Sequence, residues 1–131
     1  MSVARSAFLA ASAAAPVAVL VAPALAAGGG AVLVAAYKTP ADPKAFTAYY
    51  FGTHAPKAKT LPGLLSYVVS EGAVATPAGP SPYYLMAELR FESMAALNAA
   101  LASPTGTAVV DDLKNFASAG VDITMFEYRP V

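Results

Sequence analysis

His54 is the only histidine among the 131 residues, and histidine is the side chain whose ordinary pKa lies closest to neutrality. It follows Phe46 and Tyr50 by eight and four residues, a spacing that places all three rings on one face of a helix. An imidazole among aromatic rings suits proton transfer on a small molecule, so we expect His54 to act as general acid or base and Tyr50 to donate a hydrogen bond. The alternative is a core histidine bonded to a carbonyl, and position alone does not decide between the two.

Two adjacent aspartates, Asp111 and Asp112, offer a carboxylate that could orient His54 or accept a proton. Neighbouring positions on a helix point about 100° apart, so at most one of the two faces inward. Aspartate is rarely buried without a partner. This favours the interpretation that both aspartates lie on the solvated side of their helix.

Further side chains are expected to line a substrate pocket beside these residues: Phe46, Tyr67, Met86 and Phe116. Tyr37 and Tyr84, like Tyr50 and Tyr67, could supply hydroxyl groups to such a pocket. More often, aromatic residues of this kind belong to the core and have one hydrogen-bonded tip.

Composition and motifs exclude several classes of protein. Eight Lys and Arg balance eight Asp and Glu without a basic run, which argues against a nucleic-acid partner. The absence of cysteine excludes disulfides, iron–sulfur clusters and thiolate zinc sites, and one histidine excludes a multi-histidine metal site within one chain. The glycines at 28–30 do not form a dinucleotide loop, because Leu33 stands where that motif needs its third glycine. We therefore expect no cofactor and no metal.

The first 26 residues have the pattern of a secretory signal peptide. Arg5 is followed by a small, apolar stretch over residues 7–20, and Ala24-Leu25-Ala26 matches the cleavage pattern. We expect a periplasmic or secreted protein with no stable membrane span after processing. A weak membrane anchor or an Ala-rich extension is the alternative, but Pro16 and Pro23 interrupt this mostly alanine segment.

Residues 27–30 are interpreted as a Gly-rich linker, and residues 31–131 as one α+β domain. Hydrophobic runs and alternation predict strands at 31–38, 64–71, 83–91 and 121–128, with a proline-rich loop at 72–82. Asp42, Ser93 and Ser103 are typical helix caps, and Pro56 should bend or end the first helix near His54. The order is β-α-β-β-α-α-β, a ferredoxin-like arrangement with its second helix broken in two.

One face of such a sheet has no helix to cover it. Both faces of the predicted strands carry Val, Leu, Met or Tyr, and a large exposed apolar patch marks an association site. We therefore expect a homodimer in which two sheets face each other, forming a dimeric α/β barrel.

Several segments, taken in order, resemble the EthD-domain family. Residues 49–56, followed by 61–64 and Tyr67, are similar to the signature Y-x(4)-H-x-P…L-P-G-x-x-x-Y, in which His54 takes the place of the histidine. Residues 87–93, 103–104 and 110–116 resemble the second half of the family. The resemblance extends from Val32 to Tyr128 and implies a ferredoxin-like dimeric α/β barrel.

The same resemblance bears on function and location. Members of the family are often labelled reductases, and other dimeric α/β barrels include cofactor-free monooxygenases, lactone isomerases and haem-degrading proteins. The resemblance therefore raises the odds that His54 is a pocket residue. Such proteins usually begin directly at the first strand, so a cytoplasmic location follows if the N-terminal segment is a wrongly assigned start.

The sequence is compatible with three functions. The first is an oxidoreductase or accessory enzyme that acts on a small apolar molecule with His54 as acid or base. The second is a non-catalytic module that binds a hydrophobic ligand or assists an oxidation pathway. The third and weakest is haem binding with His54 as axial ligand.

Overall fold

The computed structural model describes residues 29–131. Within them, Gly30–Tyr128 form a compact unit built on a four-stranded sheet with helices packed against one face. The signal-peptide prediction for residues 1–26 and most of the linker prediction for residues 27–30 lie outside the described residues. Both therefore stay predictions.

The elements follow the predicted order with short additions. The strands are β1 (Gly30–Lys38), β2 (Ser66–Val69), β3 (Ala75–Thr76), β4 (Gly79–Pro80), β5 (Tyr83–Phe91) and β6 (Val121–Tyr128). The helices are α1 (Pro43–Tyr49), a π-helical segment (Tyr50–His54), α2 (Ala55–Ala58), α3 (Met94–Ala102), α4 (Pro104–Asp112) and a 3₁₀ turn (Leu113–Asn115). The main sheet is antiparallel in the order β2-β5-β1-β6, which confirms the α+β, ferredoxin-like class. The small β3–β4 ribbon lies inside the segment predicted as a loop.

The helices begin where the sequence predicts them. Side-chain oxygens of Asp42, Ser93 and Ser103 accept hydrogen bonds from backbone N–H groups three residues later, at 3.0–3.1 Å. Pro43 and Pro104 follow two of these caps in the first helical turn, where the missing N–H of proline costs no helical bond. Local capping chemistry is therefore sufficient to fix where α1, α3 and α4 start.

Alternation along the strands decides which side chains reach the helices. Leu33, Ala35 and Tyr37 of β1 pack in the core beneath the helices. Met86 of β5 pairs instead with Ala36 of β1, and this pair lies on the opposite face because side chains alternate along a strand. The prediction that Met86 lines a pocket beside His54 is therefore wrong.

The first helix does not end at Pro56. The N–H of Ala55 bonds to the carbonyl of Tyr50, five residues earlier, so the turn that ends at His54 is widened. Pro56 then occupies the first turn of α2, which continues to Ala58. The helix therefore widens ahead of the proline, and Tyr50 and His54 are both buried within the widened turn.

Among residues 29–131, no helix is long and apolar enough to cross a membrane.

Candidate functional site

His54 is one of the residues that line a small cavity between the helices and the sheet. Its side chain is almost fully buried, with 3% of the residue exposed, and it borders a cavity of about 50 Å³. Most of the walls are aliphatic, from sheet residues such as Leu33 and Ala87 and from Val109 of α4. A volume of this size takes a few atoms, so the cavity suits one functional group of a larger molecule.

A buried carboxylate holds the imidazole from behind. Nδ1 of His54 lies 2.9 Å from Oδ2 of Asp112, which is 2% exposed. An ionised carboxylate only accepts hydrogen bonds, so Nδ1 carries the ring proton and Nε2 is left as an acceptor. Within residues 29–131, Nε2 has no hydrogen-bond partner from the protein. The arrangement therefore presents the basic nitrogen of a neutral histidine.

Three more donors meet the other oxygen of Asp112. The Tyr49 hydroxyl donates to Oδ1 at 2.6 Å and the Asn115 amide donates at 2.9 Å. Nζ of Lys57, whose side chain is about half exposed, reaches the same atom at 3.3 Å. These donors, together with His54, satisfy a carboxylate that would otherwise be costly to bury.

The surroundings set the charge of both partners. Burial lowers the pKa of His54 below its ordinary value, although the hydrogen bond to Asp112 works to raise it. Burial alone would raise the pKa of Asp112, but the donors on its two oxygens outweigh burial and hold the pKa well below its usual range. At neutral pH the pair is therefore a neutral imidazole against an ionised carboxylate.

Tyrosine hydroxyls supply the remaining polar groups of the cavity. Tyr37, Tyr50 and Tyr67 all border it, and the hydroxyls of Tyr50 and Tyr67 lie 2.6 Å apart. Burial raises the pKa of all three tyrosines. The hydroxyls therefore keep their protons at physiological pH and act as hydrogen-bond donors.

The structure separates the two neighbouring aspartates. The side chain of Asp111 is 67% exposed and pairs with Lys114 at 3.3 Å, as expected for the solvated side of a helix. The same expectation is wrong for Asp112, because donors from α1, α2, the π-helical segment and the 3₁₀ turn compensate its burial. Asp112 is thus the carboxylate positioned to orient His54.

The other predicted residues fall into two groups. Tyr50 and Tyr67 border the cavity. Phe46 and Phe116, which were predicted to line the pocket, do not border the cavity. They pack against residues that do: the ring of Phe116 lies 4.6 Å from that of His54, centroid to centroid, and Phe46 stacks on Tyr50 at 6.0 Å. Met86 lies on the far face of the sheet, as described above.

Sequence reasoning missed the roles of Tyr49, Lys57 and Asn115 around the carboxylate. Helical spacing predicts that Tyr49 and Lys57 lie on the same face as His54, and this spacing could have pointed to both residues. Nothing local marks Asn115, which contacts Asp112 only because the chain turns at the end of α4.

A larger open cleft of about 760 Å³ lies elsewhere, bordered by Thr47, Phe51 and Tyr84 among others. The hydroxyls of Thr47 and Tyr84 are 2.7 Å apart and satisfy each other. His54 and Asp112 do not border this cleft, so the groups able to carry chemistry converge on the smaller cavity. Among the described residues, no group of three or more His, Asp or Glu side chains could hold a metal ion.

Comparison with known proteins agrees with this architecture. The EthD domain model matches residues 38–120. An uncharacterized 11.0 kDa protein from the thcB-thcC intergenic region of Rhodococcus erythropolis is 36% identical over 95 residues, covering 72% of this chain and 91% of its own. An EthD family protein of Bacillus halodurans is 34% identical, with a TM-score of 0.69 over 75% of this chain and 97% of its own.

Two solved structures of lower identity share the fold. One is SnoaB of Streptomyces nogalater, described as a cofactor-independent oxygenase, with 17% identity and a TM-score of 0.55 over 77% of this chain and 94% of its own. The other is a dimeric ferredoxin-like protein of Thermobifida fusca, with 14% identity and a TM-score of 0.58 over 77% of this chain and 92% of its own. The family match over most of the domain and the 36% identical relative lead to one conclusion: the chain belongs to the EthD family.

Proposed function

We propose that the protein is an acid–base enzyme acting on a small, mostly apolar molecule, with His54 as the proton acceptor and Tyr50 as a hydrogen-bond donor. One observation carries the proposal: a buried histidine whose Nδ1 is fixed by a carboxylate borders a cavity, while its Nε2 has no protein partner among the described residues. A core histidine without a chemical role would be expected to have both ring nitrogens satisfied.

Each group has a defined task in proton transfer. Nε2 of His54 takes a proton from the substrate, and Asp112 keeps the ring oriented and stabilises the imidazolium that forms. The hydroxyls of Tyr50 and Tyr67 are bonded to each other, so one of their two protons is free to be donated to a substrate oxygen as negative charge develops there. Because the walls are mostly aliphatic, these interactions act in a medium of low dielectric constant and are stronger than in water.

The comparisons support an enzymatic role for this fold. SnoaB, which shares this fold, is described as a cofactor-independent oxygenase. We propose the same broad class, an oxidoreductase or an accessory step of an oxidation pathway. A redox step here takes its electrons from the substrate, a diffusible cofactor or a protein partner, because the sequence carries no nucleotide-binding fingerprint.

The test uses His54→Gln, which keeps a polar side chain of similar size but cannot act as a base. Purified protein is incubated in air with small ketones, phenols, aldehydes and ethers, and products are followed by mass spectrometry. We expect turnover by the native protein and at least about a hundredfold loss in His54→Gln, with an unchanged circular-dichroism spectrum. Asp111→Asn, on the solvated side of α4, is the matched control and should retain full activity. Full activity in His54→Gln contradicts the proposal.

A second candidate function is binding without chemistry. The mostly aliphatic walls and the volume of about 50 Å³ suit retention of one end of a hydrophobic ligand. Saturable binding with no product from any compound of the panel favours this function, and a product that depends on His54 excludes it. Haem does not fit, because this volume is far below the roughly 300–1,000 Å³ of clefts that enclose large ligands.

We also propose that the protein forms a homodimer through the uncovered face of the sheet. Val68 of β2 and Phe126 of β6 are 55% and 49% exposed, and alternation places both on the face opposite the helices. The Thermobifida fusca protein of the same fold is described as dimeric. Light scattering should give twice the monomer mass at micromolar concentration, and Phe126→Asp should lower it. A monomer mass for the native protein contradicts the proposal.

Export to the periplasm or the medium is a further proposal, and it rests on residues 1–26 of the sequence alone. Expression of the full chain in a bacterial host should yield a mature protein that begins at Ala27. Intact-mass measurement of the recovered protein tests this, and an unprocessed cytoplasmic chain favours a wrongly assigned start instead.

A further inference from the structure

The cavity beside His54 holds more polar groups than its own residues can satisfy. Tyr37 is 3% exposed, and its hydroxyl has no hydrogen-bond partner within residues 29–131. The hydroxyls of Tyr50 and Tyr67 share one hydrogen bond, so one of their two protons remains free to be donated. Nε2 of His54 is an acceptor without a protein partner in the same region.

Buried polar groups in folded proteins are nearly always paired. Here, several unpaired ones converge on one small and otherwise aliphatic cavity. Their chemistry is complementary to that of a ligand atom, since two hydroxyls donate and one ring nitrogen accepts. A group that accepts from the tyrosines and donates to Nε2 satisfies all of them, and a hydroxyl group does both.

The rest of the surroundings defines what carries that hydroxyl. The cavity reaches the surface beside Val110 and Ile123, which are 49% and 44% exposed, so the body of the ligand meets apolar side chains. No cationic side chain of the described residues borders the cavity, and the ionised Asp112 lies directly behind His54. An anionic ligand is therefore disfavoured.

We propose that Tyr37, Tyr50, Tyr67 and Nε2 of His54 form a subsite for the hydroxyl group of a neutral phenol, whose ring lies at the apolar rim beside Val110 and Ile123. A phenol fits better than an ether or a ketone, because these lack a proton for Nε2. It also fits better than an aliphatic alcohol, because its O–H is the more acidic and the stronger donor. This inference deepens the proposed function and rests on it for the identity of the site.

Binding of matched probes to the full chain tests the subsite. Phenol, anisole, toluene and benzoate have the same ring and differ in the group that enters the cavity. Affinities are measured by calorimetry, and the ¹⁵N shift of Nε2 is followed by NMR, where the single histidine gives an unambiguous signal. Phenol should bind at least about tenfold more tightly than each of the other three probes and should move the Nε2 shift.

Variants separate the subsite from general hydrophobic binding. Tyr67→Phe removes one hydroxyl from the cavity and should reduce the preference for phenol over toluene severalfold. Tyr128→Phe, on the opposite face of the sheet, should leave that preference unchanged. The inference is overturned if toluene binds as tightly as phenol, if Tyr67→Phe keeps the full preference, or if none of the four probes binds.

The outcome for the subsite is distinguishable from that for catalysis. Selective binding of phenol without any turnover leaves the subsite standing and removes the proposed enzymatic function. Turnover that requires His54, on a substrate without a hydroxyl group and without inhibition by phenol, leaves the function standing and removes the subsite.

Discussion

Replacement of Asp112 by asparagine tests the arrangement behind His54 most directly. The substitution keeps the shape of the side chain but removes its charge and replaces one acceptor oxygen with an N–H₂ donor. Oδ1 accepts hydrogen bonds from Tyr49, Asn115 and Lys57, and Oδ2 accepts from His54. With the amide oxygen in the place of Oδ1, the new N–H₂ group faces Nδ1 of His54 and can bond to it only if that nitrogen loses its proton.

The expected loss of stability follows from these contacts. A hydrogen bond to a charged group contributes about 1.5–3 kcal/mol, and a buried donor left without a partner costs about 1–3 kcal/mol. Asparagine keeps neutral hydrogen bonds at one oxygen, and the half-exposed Lys57 returns to water at little cost. We therefore expect the free energy of unfolding of Asp112→Asn to fall by about 2–4 kcal/mol.

The substitution also changes which nitrogen of His54 carries the ring proton. When the N–H₂ group of asparagine donates to Nδ1, the ring proton moves to Nε2, and the base that faces the cavity disappears. Urea unfolding at a fixed protein concentration measures the stability, and the ¹⁵N shifts of the single histidine report the tautomer. Asp111→Asn is the control and should change the free energy of unfolding by less than about 0.5 kcal/mol. Wild-type stability together with an unprotonated Nε2 in Asp112→Asn would refute the reasoning.

Four further predictions concern charge and packing. Burial lowers the pKa of His54, so below about pH 6.5 the unfolded chain binds a proton at His54 more readily than the folded chain does, and the free energy of unfolding decreases. The pKa of Asp112 is also lowered in the folded chain, so the free energy of unfolding decreases further below about pH 4. The urea midpoint should therefore fall on acidification from pH 7, and a rise contradicts the prediction. Gly106→Ala should lower the free energy of unfolding by about 1–3 kcal/mol, since its Cβ would press on a backbone carbonyl of α3. Gly52→Ala, where a Cβ meets open space, should raise it by about 0.5–1 kcal/mol. Lys57→Gln removes a cation that acts to lower the pKa of His54, so the NMR titration midpoint of His54 should move to higher pH, and no change contradicts the role of Lys57.

The parts of the fold that the sequence predicts are those with local causes. The helix starts at Asp42, Ser93 and Ser103 depend on a cap that reaches three residues ahead, and strand β5 coincides with an alternating run of nine residues. Where the causes are not local, the prediction fails. The widened turn at Tyr50–His54 was not predicted. A spacing of four residues fits both an α-helix and this turn, so the spacing alone does not distinguish the two.

In the candidate site, too, the sequence predicts the features that have local causes and misses those that depend on distant contacts. His54 and Tyr50 were identified from residue type and helical spacing, and Tyr67 from its residue type and the family signature; all three border the cavity. The position of Asp112 could not be predicted, because it depends on a contact with His54 across 58 residues of sequence. The rule that aspartate avoids burial gave the wrong answer, because it applies only to a carboxylate without partners.

Replacement of Tyr37 tests whether the cavity is a binding site or part of an ordinary core. Its hydroxyl is buried without a protein partner among the described residues, and such a group costs stability. Tyr37→Phe should therefore raise the free energy of unfolding by about 1 kcal/mol. Tyr49→Phe, which loses a bond to Asp112, should lower it by about 1–2 kcal/mol.

The same Tyr37→Phe variant should bind phenol more weakly, so that stability and affinity change in opposite directions. Urea unfolding and calorimetry on one preparation measure both quantities. A loss of stability as large as that of Tyr49→Phe would show that the hydroxyl is already satisfied in the free protein. A tyrosine that serves only packing has no use for an unpaired hydroxyl in the core, because that hydroxyl lowers the stability. In a binding site, the same loss of stability is offset when a ligand oxygen pairs with the hydroxyl.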